Sequence, residues 1–137
     1  MASRTPARPR PLSPHLQIYR WGPHMLVSIL HRACGVTMAT AGTVIFTWFL
    51  ASLAAGPASY ARFHRVLFEW AGGAIGYLIG IGLTLVFFLH MANGVRHLVM
   101  DTGANFELRG NKRSALAALI AAPVLAALYW LYILAVK

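Results

Sequence analysis

Two short stretches carry the side chains that could do chemistry. The first, residues 90–101, reads HMANGVRHLVMD; it closes a long uncharged run and turns polar within one helical turn. His90, Gly94 and His97 stand at i, i+4 and i+7, which puts all three in one narrow stripe of a helix. An imidazole this far inside an apolar run is costly unless it is bonded, so it points to ligation or to a hydrogen bond across helices. A glycine one turn along the same stripe lets a large flat group approach the backbone. The second stretch, residues 28–32, reads SILHR and is followed by Gly35. Ser28 and Arg32 share a face one turn apart, and a hydroxyl beside a guanidinium can hold a quinone carbonyl, a phosphate or a propionate. The structural alternatives are a satisfied core histidine at 90, and an Arg32 that anchors a lipid headgroup beside a Ser28 bonded to its own helix.

Helical rise limits what the histidines can do together. His90 and His97 are separated by roughly 10 Å along the axis at about 1.5 Å per residue. A metal–imidazole bond is only about 2 Å long. The two cannot be the axial ligands of one haem, and a six-coordinate haem on His90 takes its other ligand from a different helix. His31 is the candidate within this chain on the same side, but it belongs near the interface, so a second membrane subunit is the more natural source. His31, Arg32, Arg96 and His97 supply cations for haem propionates at the polar edge.

These stretches must be held by membrane-spanning elements. The chain has 137 residues, 58% hydrophobic and only 11% charged, where a soluble domain carries about 25% charged residues. Mean hydropathy is +0.62. The net charge of +9 lies mostly between the apolar runs, the pattern of a topology signal and not of a nucleic-acid-binding surface. Cys34 stands alone, which excludes an internal disulfide, and the acidic residues are only Glu69, Asp101 and Glu107.

The sequence predicts one membrane-anchor domain over 1–137, all-α, with three transmembrane helices. Residues 1–23 are rich in Arg and Pro (Pro6, Pro9, Pro11, Pro14) and predict an extended arm. The helices are expected over 25–53, 66–100 and 114–136, with loops at 56–65 and 101–113. Gly72, Gly76 and Gly80 form a small-residue face for close helix contact, Pro123 is a possible bend, and Tyr129, Trp130 and Tyr132 form an interfacial belt. Arg4, Arg8, Arg10, Arg20, Arg32, Arg96, Arg109, Lys112 and Arg113 fall on one side, against Arg62, Arg65 and Lys137 on the other. This bias puts the N-terminus in the cytoplasm, or in the mitochondrial matrix for a eukaryotic source, and the C-terminus outside. Both chemical stretches then lie at the cytoplasmic face. The interrupted first apolar segment argues against a cleaved signal, and the start has no evident presequence, so a bacterial inner membrane is the expected setting.

The order SPHLQIYRW, SILHRACG, HMANGVRHLVMD on three such helices closely resembles the cytochrome b subunit of succinate dehydrogenase, the large membrane anchor of complex II. The resemblance covers nearly the whole chain and is strongest over 13–35 and 90–101; Cys34 stands where the family usually has Thr or Ser, and Met100 where its mitochondrial members often carry Trp. It implies that His90 is an axial ligand of haem b, with the second ligand from a histidine of a small hydrophobic anchor subunit. It implies that Ser28 and Arg32 meet ubiquinone, that Trp21 walls the quinone pocket, and that Asp101 helps deliver protons. His31 and His97 would lie beside the propionates. FAD and the iron–sulfur clusters would belong to a flavoprotein subunit and an iron–sulfur subunit, consistent with the lack of a cluster cysteine set or dinucleotide fingerprint here. Competing readings are the anchor of a fumarate reductase, a haem-free helical assembly subunit, and a small lipid- or nucleic-acid-binding membrane protein.

Overall fold

The structure, a computed structural model, describes residues 18–136. Most of the expected arm, with Arg4, Arg8, Arg10 and its prolines, lies outside the described residues, as does Lys137. Helix α1 (Pro23–Thr37) begins with proline in its first turn, where a missing N–H costs nothing. A wide π turn, Met38–Gly42, carries the chain into α2 (Thr43–Ala54). The hydroxyls of Thr37 and Thr40 donate to the carbonyls of Ala33 and Val36 at 2.9 and 2.7 Å, and Thr43 reaches the Met38 carbonyl at 3.4 Å. Such back-bonding competes with the backbone ladder, and a helix that widens by one residue is a common outcome. The run Pro23–Ala54 is 32 residues long and apolar enough to span a membrane.

Residues 56–65, expected as a loop, instead contain helix α3 (Pro57–His64), followed by a π turn over Arg65–Glu69. Polar residues obscured it in the sequence. What holds it is one aromatic side chain: Phe63 is buried against Trp48 and Phe49 of α2, with ring centroids 4.9 and 5.6 Å apart. Ala71, Gly72 and Gly73 then take left-handed backbone angles in succession (φ 52, 66 and 82°), which two glycines make cheap. This reversal starts α4 (Ala74–Asp101). The loop expected over 101–113 is shorter than that, because α5 (Leu108–Val136) takes in its second half. Pro123 sits inside α5 without ending it.

Helices α1, α4 and α5 pack on one another, with α2 and α3 paired beside them. The core is small: Val27, Ala115 and Ala118, flanked by Ala92 and Leu119. Ala115, Ala118, Ala122 and Ala126 are all buried, so a stripe of methyl groups lets α5 lie close to its neighbours. The glycine face expected at 72, 76 and 80 is not continuous. Gly72 lies in the left-handed reversal, Gly76 is pressed against the Leu67 carbonyl, and Gly80 faces the Trp130 indole of α5. The four-residue repeat implies one face only if the helix is straight, and it begins only at Ala74.

Three helical runs among the described residues are long and apolar enough to cross a membrane: Pro23–Ala54, Pro57–Asp101 and Leu108–Val136. Large apolar side chains such as Leu78, Val44 and Val136 point outward, the reverse of a soluble protein. The protein is an all-α, multi-pass membrane protein.

Candidate functional site

Helix α1 packs against α4, and between these helices three histidines converge. The rings of His31 and His90 are stacked, with centroids 3.8 Å apart and planes 12° from parallel. His97 is tilted against His31 at 5.7 Å. Nδ1 of His90 lies 3.2 Å from the backbone carbonyl of His31. A carbonyl oxygen can only accept, so the neutral form of His90 that makes this bond carries its proton on Nδ1 and has its lone pair on Nε2. That is the arrangement by which proteins orient a metal-ligating histidine.

Glycines shape the surroundings. A Cβ at Gly35 would stand 3.3 Å from Cε1 of His90, so α1 makes room for the imidazole by omitting a side chain. Gly35 belongs to the S-x-x-H-R-x-x-G pattern, and its reason is visible only with α4 in place. At Gly94 a Cβ would meet nothing within 4 Å, so one turn from His90 the helix presents bare backbone to open space.

Among the described residues no group of three or more His, Cys, Asp and Glu side chains could hold a bare metal ion. One free imidazole nitrogen beside an open glycine face fits a metal that brings its own planar ligand set, which is haem. His31 does not fit as the opposite ligand. Two axial imidazoles point at one iron from opposite sides, whereas these two rings lie face to face. Nδ1 of His31 is buried with no hydrogen-bond partner.

Ser28 is half-buried and Arg32 is exposed, and neither side chain has a hydrogen-bond or ion-pair partner among the described residues. Both remain available to a ligand at the interface. Trp21 is 60% exposed in the segment leading into α1, edge-on to Tyr19, whose hydroxyl contacts the Met25 sulfur. Asp101 is the exposed last residue of α4.

Arg96, one of the cations named for the propionates, is only 8% exposed and bonded to α5. Nε donates to Ser114 Oγ and Nη1 to Asn93 Oδ1, each at 3.1 Å, and Nη2 donates to Asn111 Oδ1. Ser114 in turn donates to the Asn111 carbonyl at 3.0 Å. Asn93, three residues before Arg96, is fully buried. The i, i+3 spacing of Asn93 with Arg96, and of Asn111 with Ser114, was visible in the sequence; that the two pairs face each other was not.

Comparison with known proteins agrees with this architecture. The sequence model described as succinate dehydrogenase/fumarate reductase transmembrane subunit matches residues 6–129. The succinate dehydrogenase cytochrome b556 subunit of Paracoccus denitrificans is 34% identical over 119 residues, covering 87% of this chain and 88% of its own. The protein of the same name from Rickettsia felis is 27% identical over 121 residues, covering 88% and 90%. The mitochondrial succinate dehydrogenase cytochrome b560 subunit of Sus scrofa is 32% identical over 111 residues, covering 81% of this chain and 64% of its own. With its three spanning helices and its match along nearly the whole length, the chain belongs to the transmembrane subunit family of succinate dehydrogenase and fumarate reductase.

Proposed function

We propose that this chain is the cytochrome b anchor of a succinate dehydrogenase, that it binds haem b through Nε2 of His90, and that it forms part of a ubiquinone-reduction site with Ser28 and Arg32. The observation that carries the reading is the His90 imidazole: its Nδ1 proton is committed to the His31 carbonyl, and its ring is seated against Gly35. The names of the relatives, all cytochrome b subunits of succinate dehydrogenase, support this direction over fumarate reduction.

In this reading the haem supplies one-electron storage between two membrane subunits. His90 would hold the haem from this chain, and a histidine of a small hydrophobic anchor subunit would hold it from the other side; the His31 ring, stacked on His90, is not turned to that task. His31 and His97 stand beside the propionate end. FAD and the iron–sulfur clusters belong to the flavoprotein and iron–sulfur subunits, docked at the end of the bundle that holds the histidines.

At the quinone, the Ser28 hydroxyl donates to a carbonyl oxygen. The Arg32 guanidinium stabilises the negative charge that develops on that oxygen as electrons arrive. Trp21 walls the entrance, and Asp101, exposed at the end of α4, passes protons from the water side. The chain lies in a bacterial inner membrane, N-terminus cytoplasmic and C-terminus periplasmic, surrounded by lipid.

A reduced-minus-oxidised spectrum of the purified complex tests the haem assignment. A haem b band that disappears in His90→Leu is the expected result, and an unchanged band would remove His90 from the iron.

A further inference from the structure

Arg96 is a buried cation with no counter-anion among the described residues. Its three hydrogen bonds go to amide and hydroxyl oxygens, all neutral, and no carboxylate lies within ion-pair distance among the described residues. Asp101 and Glu107 are exposed and make no ion pair with it, while Glu69 pairs with His64 and Arg65 elsewhere. Burying a charge is expensive, and such a group is usually matched by an opposite one. Here the chain meets the cost with two asparagines and a serine, which accept from three of the five guanidinium N–H groups and leave its charge intact.

The place of this charge is specific. Arg96 is six residues from His90 on the same helix, roughly 9 Å along the axis at about 1.5 Å per residue. Its hydrogen bonds go to Ser114, Asn93 and Asn111 and not to the histidines, and a Cβ at Gly94 would meet nothing within 4 Å. Fixed charge in a water-poor interior acts over longer distances than exposed charge, which solvent and salt screen. Lys112 and Arg113, nearby in sequence to its partners, are exposed and screened.

We propose that Arg96 is a positioning and tuning residue for the His90 site: a permanently charged guanidinium, fixed by Asn93, Asn111 and Ser114 and paired with no carboxylate among the described residues, that favours the electron-rich state of a redox group on His90 and so raises its reduction potential. This rests on the haem assignment above. The network also ties α4 to α5, but a tie alone needs no charge; a serine–asparagine pair between helices would serve.

The test separates charge from tie by leaving the guanidinium in place and neutralising it. Asn111→Asp substitutes a carboxylate, held ionised by its arginine neighbour, for the amide oxygen that accepts from Nη2. In the purified four-subunit complex, redox titration of the haem b band is expected to show a lower midpoint, with haem content and band shape retained. Ser114→Asp, which brings a carboxylate to Nε, is expected to do the same and serves if the first variant fails to assemble. Arg96→Lys keeps the charge and is expected to hold the midpoint closer to native than Arg96→Gln. A midpoint unmoved or raised in the aspartate variants, at native haem content, overturns the proposal. Absence of a haem b band from the native complex overturns instead the assignment on which it rests.

Discussion

The imidazole of His90 stacks on that of His31 with centroids 3.8 Å apart, while its Nδ1 donates to the backbone carbonyl of the same residue at 3.2 Å. The two contacts fix different things. The hydrogen bond sets the tautomer and survives any change of side chain at 31, whereas the stack holds the plane of the ring. His31→Ala is therefore expected to retain haem with weaker binding, by about 10–100-fold, the usual effect of losing a group that orients a metal ligand. His90→Ala is expected to abolish binding. The haem-to-flavin ratio of the purified complex distinguishes the two.

Gly94 gives a sharper check, because a side chain there has space in the chain itself. Replacing it with alanine should favour the helix by about 1 kcal/mol on propensity alone. If a flat group lies against this turn, Gly94→Leu reduces haem content while the subunit still accumulates in the membrane. Undiminished haem in Gly94→Leu would place the group elsewhere.

Gly35 should behave in the opposite way. With only 3.3 Å between a new Cβ and Cε1 of His90, Gly35→Ala forces the ring to move by a few tenths of an ångström. A shifted haem band at near-normal content is the expected result, and Gly35→Val is expected to lose the haem. Band position and content together report it.

Ser28→Ala removes a donor from an oxygen that gains negative charge. A hydrogen bond to a charged group contributes about 1.5–3 kcal/mol, so quinone reduction should slow by roughly 10–100-fold. Succinate oxidation with a soluble dye acceptor should remain near native. Equal loss of both activities would argue for misassembly and against a quinone contact.

The orientation can be read by cysteine labelling. Cys34, the chain's one cysteine, is buried, so the background is low. A cysteine at Ala104, in the exposed turn between α4 and α5, is expected to react with an impermeant maleimide only from the cytoplasmic side. One at Ala58, exposed at the start of α3, should react only from the periplasmic side.

Much of this protein was legible along the chain. Length and apolarity alone establish three crossings, because the hydrocarbon core sets a minimum run of about 20 residues wherever the helices pack. Helical periodicity puts His90, Gly94 and His97 in one stripe, and rise per residue prevents His90 and His97 from sharing one iron. These are properties of single helices, which need no partner to be computed.

What required the tertiary structure is everything that depends on which helix faces which. Loop-like polarity at 57–64 hid a helix, since its stability comes from Phe63 docking on Trp48 and Phe49, residues distant in sequence. Gly35 acquired a reason only once His90, 55 positions later, was seen against it. Arg96 shows the limit best. On its own helix it reads as one more cation at the polar edge, but α5 supplies Asn111 and Ser114 and turns it inward. A side chain's local spacing fixes its direction on a helix, while the neighbour on that side determines whether its charge meets water, a ligand or a buried oxygen.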